Sequence, residues 1–240
     1  MNLSDATQLL RAEALTRYDI YRWIHKALRA RMCRVLVAVG GIDVSDGPAT
    51  ARALDQLDAL LAVCRGHLQH ENDFVHAALE AAQPGSSADA ADEHVDHETH
   101  IAALAAASAA LRREPAADGA LRLYHALALF VSENLVHMHM EETEHNAVLW
   151  RHCTDAQIQA VEQRLMASLP PAELADTLPW MSLGLNATER AQLLGGLQQA
   201  VPAPVFETML DSAMAPLTEP QRTALARALG RAPVPGLVMC

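Results

Sequence analysis

The chain carries one chemical unit twice, as His67-Leu-Gln-His-Glu71 and His137-Met-His-Met-Glu141. The spacing of four in each unit places imidazole and carboxylate one turn apart on one face of a helix. Imidazole nitrogen suits borderline metals, and a carboxylate can bridge two of them. Two such pairs facing each other across a helical core would supply ligands for two metal ions. His67, Glu71, His137 and Glu141 are therefore the first candidate ligands.

Other histidines extend the set. His25 sits on an apolar stripe with Tyr18, Tyr21, Leu28, Met32 and Val35 and is expected to join the ligands. The stretch Glu93-His94-Val-Asp-His97-Glu98 puts both His94 and His97 on a stripe continued by Ile101, Leu104, Ser108 and Leu111. Each has a carboxylate four residues away, Glu98 for His94 and Glu93 for His97, so spacing alone leaves open which of the two ligates. His70, His76, His100 and His145 lie off the stripes and read as surface or supporting residues, and Glu144 as the edge of the site. His139 and Glu142 are positioned to support the second unit. Tyr18, Tyr21, Tyr124 and Cys64 read as core.

Positioning these residues requires long helices. The first is predicted from about Ser4 to Val39, stopped by Gly40-Gly41, and the second from Asp46-Gly47-Pro48 to Ala82. The second carries the stripe Leu57, Leu60, Cys64, His67, Glu71, Phe74, Ala78. The third is predicted over Ala88 to Arg113 and the fourth over Asp118 to Trp150, with Tyr124, Leu127, Phe130, Asn134, His137, Glu141, Glu144 and Val148 inward. Four amphipathic helices with short connections predict an all-α, antiparallel up-down-up-down four-helix bundle. Each stripe turns polar at His or Glu, and buried polar groups are costly unless partnered. Convergence on metal would explain every interruption together.

All twelve histidines fall from His25 to His152, which separates a specialised region, 1–152, from an auxiliary one, 153–240. The latter predicts short helices with Pro-rich joints, including breaks at Pro170-Pro171 and at Leu178-Pro179-Trp180, and helices from Asn186 to Ala200, Val205 to Ala215 and Thr218 to Gly230.

Composition narrows the function classes. Hydrophobic residues make up 51% and aromatics 4%, with few β-formers, which disfavours an extensive sheet. A net charge of −11 without a basic stripe argues against nucleic-acid binding. Four scattered cysteines, with no CxxC, point away from a disulfide framework or zinc knuckle. Neither a signal peptide nor a membrane span is expected from the residue pattern, and a reducing cytoplasm is the expected setting.

One His on helix one, HxxxE on helix two, His on helix three and HxxxE on helix four resembles the hemerythrin-like, or HHE cation-binding, family over roughly residues 10–150. The resemblance implies a bundle holding two non-haem irons through His25, His67 and His137 as terminal ligands and Glu71 and Glu141 as bridges. The family's oxygen carriers have HxxxH on helix three, where the matching register here gives Glu93 and His97, and HxxxxD on helix four, where Glu142 follows HxxxE. A set richer in carboxylates favours higher oxidation states over reversible oxygen carriage.

Two functions follow from the resemblance. One is a di-iron protein that binds or reacts with O2 or peroxide, in sensing or in peroxide removal, with catalytic turnover left open. The other is a metal-dependent regulatory protein whose C-terminal helices bind a protein partner.

Overall fold

A computed structural model describes residues 16–231. These residues form helices joined by turns and short connections, with no strand among them. Helix α1 spans Arg22–Gly40. Helix α2 comprises Gly47–His70, a π-helical turn over Glu71–His76, and Ala77–Ala82. Helix α3 is Ala88–Arg113. Helix α4 comprises Ala117–Met140, a π-helical turn over Glu141–His145, and Asn146–His152.

Local chemistry sets several of these limits. Asp46 caps α2 by accepting from the Ala49 backbone N–H at 2.9 Å, and Pro48 occupies the first turn, where no donor is missed. The α2–α3 connection is held by Glu80, whose carboxylate accepts from Gly85 N, Ser87 N and Ser87 Oγ. Gly85 takes a φ of 85°, a left-handed conformation that favours glycine.

Helix α1 starts later than the sequence predicts. The stretch from Ser4 to Leu15 lies outside the described residues, and residues 16–21 are turn and bend. The cause is visible at Asp19, which accepts from the N–H groups of Tyr21 and Arg22 and from Asn146 Nδ2 at 2.8 Å. Arg17 donates to Asp155 and to the carbonyls of Trp150 and Cys153. Side-chain bonds to the end of α4 thus replace helical backbone bonds in this segment.

Contacts divide the described residues into two compact units. The first contains residues 16–22 and Met32–Ser168. In it α2 packs on α3 and α3 on α4. The apolar stripes are buried, with Leu54, Leu57 and Leu60 from α2, Ile101 and Leu104 from α3, and Leu127 and Phe130 from α4 all at 2% exposure or less. Burying each such side chain contributes about 1.5–3 kcal/mol. Ser108 and Asn134, polar interruptions of the stripes, are satisfied by Asp58 and by the Phe130 carbonyl. A further helix, α5 (Asp155–Ser168), packs on the π-turn of α2, and Ile158 and Val161 join Ile20, Tyr21, Val75, Leu79 and Leu149 in one cluster.

The second unit contains Trp23–Arg31 and residues 169–231. Its helices are α6 (Pro171–Gly184), α7 (Ala187–Ala200), α8 (Ala203–Met214) and α9 (Glu219–Ala228). Leu178, Leu194, Phe206, Leu210, Leu217 and Leu225 form its core. Buried Arg190 donates to the carbonyls of Ser182 and Leu185 at 2.7 Å each, tying α7 to the end of α6. Capping boxes at Asn186/Glu189 and Thr218/Gln221 start α7 and α9. The break predicted at Leu178-Pro179-Trp180 does not occur, because α6 runs through Pro179. A proline removes one helical hydrogen bond but does not end a helix whose flanking residues are buried, as Leu178 and Ser182 are.

Candidate metal centre

The π-helical turns decide which residues face inward. Each begins at the carboxylate of an HxxxE unit, Glu71 in α2 and Glu141 in α4. A π-turn inserts an extra residue and rotates everything after it around the helix axis. An unbroken α-period would bury Phe74 and Ala78; instead Val75, His76 and Leu79 are buried. In α4 the inward positions become His145, Asn146 and Leu149, while Glu144 is exposed. The reading of His145 as a surface residue is therefore corrected, since it is 2% exposed, and of the two readings of His76, surface or supporting, its 5% exposure excludes the first.

Around this point the helices bring His67, Glu71, His94, His137 and Glu141 together. His67 Nε2 lies 3.1 Å from Glu71 Oε1. His94 Nε2 lies 3.7 Å from Glu71 Oε2 and 4.0 Å from Glu141 Oε1, and His137 Nε2 is 3.5 Å from Glu141 Oε1. Glu71, His94, His137 and Glu141 can each offer one ligand atom, all within 4.8 Å of one another. Glu71 and Glu141 also group in the same way with His67, so both carboxylates belong to two ligand sets. His25, on α1, is fully buried. His97 is 4% exposed but belongs to none of these groups; its ring stands edge-on to those of Phe130 and His137.

Two acceptors orient the central histidines. His94 Nδ1–H donates to Asn72 Oδ1 at 2.8 Å, and His137 Nδ1–H donates to Glu93 Oε2 at 2.6 Å. With Nδ1 protonated in both rings, both Nε2 atoms point their lone pairs inward. Those two atoms are 3.0 Å apart. One of the rings must then carry an extra proton. Burial disfavours a charge on either, but bonding to Glu141 and Glu93 outweighs burial at His137 and raises it to about 9. Burial, with the neighbouring charge of His137, pushes His94 down to about 3. Burial likewise lowers His97 and His145 to about 4.

This arrangement fits a metal. Three imidazoles and two carboxylates converge in two overlapping groups that share Glu71 and Glu141, a donor set suited to borderline divalent ions. A cation between His94 and His137 would take both inward lone pairs, replacing the proton that now holds them together.

Tyr21, 1% exposed, lies beside the cluster with its hydroxyl 3.0 Å from His145 Nδ1. Burial, followed by the charges of Glu141 and Glu71, raises its pKa far above the ordinary value. The hydroxyl therefore keeps its proton, and its oxygen remains able to accept from the imidazole Nδ1–H. Asn72, Tyr21 and His145 were not legible as neighbours of the cluster, although each π-turn does place a histidine four or five residues past the carboxylate of its HxxxE unit.

A family model described as "Hemerythrin HHE cation binding domain" matches residues 16–148. Comparison with curated proteins and with solved structures gives no match. No described helix is long and apolar enough to cross a membrane.

Proposed function

The chain belongs to the hemerythrin HHE cation-binding domain family, and on that premise we propose that it is a cytoplasmic non-haem di-iron protein that binds or reacts with O2 or peroxide. The observation that carries this reading is the sharing of Glu71 and Glu141 between two ligand sets. One set is Glu71, His94, His137 and Glu141. The other contains His67, Glu71 and Glu141. Two carboxylates common to two sets are what a bridged pair of ions requires.

In this reading His25, His67, His94 and His137 are terminal ligands and Glu71 and Glu141 the bridges. Of the two α3 histidines, His94 enters the centre and His97 braces the His137 ring. The bundle is up-down-up-down, which the short connections between α1, α2, α3 and α4 support. Residues 1–152 carry the centre, and 153–240 form an auxiliary region.

When bound, an iron pair would supply electrons and an open position for a small diatomic or peroxide. The chain supplies the rest. Asn72 and Glu93 hold the His94 and His137 rings in the ligating tautomer. Cys64, Leu68, Ile101 and Phe130, all at 3% exposure or less, keep bulk water from the stripes that carry the ligands. Tyr21 holds a proton at its hydroxyl beside Glu141 and Glu71.

The test is to load the protein anaerobically with ferrous iron and add O2 or peroxide in separate runs. Consumption of either, lost in Glu141→Gln, is the expected result; an iron-loaded protein inert to both overturns the reading.

A second reading, metal-dependent regulation through a protein partner, is favoured by one observation. The stretch Trp23–Arg31, which carries His25, belongs to the same compact unit as the C-terminal helices. In this reading proteolysis within residues 169–231 should slow on metal loading.

A further inference from the structure

The third group of convergent ligands on the π-turns is His76, Glu141 and His145, whose offered atoms lie within 4.8 Å of one another. The two histidines are not needed to complete either ligand set of the iron pair. Both lie one π-turn beyond the bridging carboxylates, on α2 and α4 respectively. All three side chains are nine-tenths or more buried, at 5%, 0% and 2% exposure.

Their surroundings are those of a built site. His76 Nε2 is buried and has no hydrogen-bond partner among the described residues. Leaving such a nitrogen unpartnered in a core is costly, and a ligand would remove that cost. The His76 ring is fixed on both sides, stacked on His94 at 4.9 Å and set edge-on to His145 at 5.5 Å. The His145 ring lies 3.0 Å through Nδ1 from the Tyr21 hydroxyl, whose oxygen can accept from Nδ1–H and so leave Nε2 with its lone pair, the outer contact that metal-ligating histidines characteristically have. Two imidazoles and one carboxylate make a set with open positions that suits a borderline divalent cation.

We infer that His76, Glu141 and His145 form a third metal position adjoining the two-metal centre, with Glu141 as the common ligand. It rests on the reading of Glu141 as a ligand of that centre. Two divalent ions at Glu71 and Glu141 already exceed the charge of those two carboxylates, so a third ion at the same Glu141 is held more weakly than the first two. Sharing a ligand also gives an ion in the third position a direct path into the centre without losing Glu141.

The experiment is an anaerobic titration of the metal-free full-length protein with Co2+, read by calorimetry and visible absorption. The expected result is two tight equivalents and one weaker one. His76→Gln/His145→Gln should keep the two tight equivalents and lose the weak one. Tyr21→Phe, which leaves the imidazole without its anchor, should weaken the third equivalent about tenfold. Far-UV circular dichroism identical to wild type certifies each variant, and the single variant His76→Ala gives an independent loss of the third equivalent. Saturation of the wild type at two equivalents, or three equivalents in the double variant, overturns the inference. Fewer than two tight equivalents overturns the two-metal reading instead, and a weak equivalent that still vanishes in the double variant supports the third position on its own.

Discussion

His94 and His137 face each other through their Nε2 atoms at 3.0 Å, while their Nδ1 atoms are bound to Asn72 and Glu93. The outer bonds fix the rings so that both inner nitrogens compete for one cation. A proton or a metal ion satisfies the pair, and the choice between them controls the behaviour of the centre.

The outer acceptors should therefore govern metal affinity without touching metal. Asn72→Ala and Glu93→Ala are each expected to weaken binding by about 10–100-fold, measured by competition with a chelator of known affinity. Unchanged affinity in both would mean that ring orientation is set elsewhere.

The two α3 histidines should separate cleanly. His94→Ala is expected to reduce tightly bound metal below that of the wild type, whereas His97→Phe, which keeps an aromatic edge against Phe130 and His137, should retain it. Metal analysis of the two purified variants decides the matter; loss in His97→Phe and retention in His94→Ala would reverse the assignment.

The stability of the metal-free protein should peak near neutral pH. His94, His97 and His145 have lowered values of about 3, 4 and 4, so the stability tied to their neutral forms is present above the unfolded value near 6.5 and lost as pH falls toward those values. His137 is raised to about 9, so its contribution is present below 6.5 and lost as pH rises through 9. Three groups act on the acid side and one on the alkaline side, so the acid fall in melting temperature should be the steeper. A flat profile from pH 4 to 9 would contradict this ordering.

Gly184 should resist substitution. A Cβ there would meet the Lys26 carbonyl and the Ala27 Cα at 2.8 Å, and backbone cannot swing aside as a side chain can. Gly184→Ala is expected to cost about 1–3 kcal/mol in denaturant unfolding. No change would show that α6 can shift relative to α1 at that point.

Much of this was legible in the residues themselves. The stripes on α2, α3 and α4 predicted the helices closely, because period and end signals agreed: Asp46-Gly47-Pro48 before α2 and Pro84-Gly85 after it. The paired HxxxE units located the carboxylates that the structure brings together. What failed depended on departures from regular helix. The π-turns moved His76 and His145 inward, and no α-periodic count can register an inserted residue. The start of α1 was misplaced because Asp19 and Arg17 bond to residues more than a hundred positions away. The ambiguity of His94 and His97 came from a helix face wide enough to bury both, and only the residues of the neighbouring helices separate them: Asn72, Glu71, His137 and Glu141 gather around His94.

The most direct measurement is the iron content of protein reconstituted anaerobically with ferrous iron and desalted to remove weakly held ions. Two irons per chain, falling in both His67→Ala and His94→Ala, is the result expected of a pair bridged by Glu71 and Glu141. One iron or none in the wild type, with the fold intact, would contradict it.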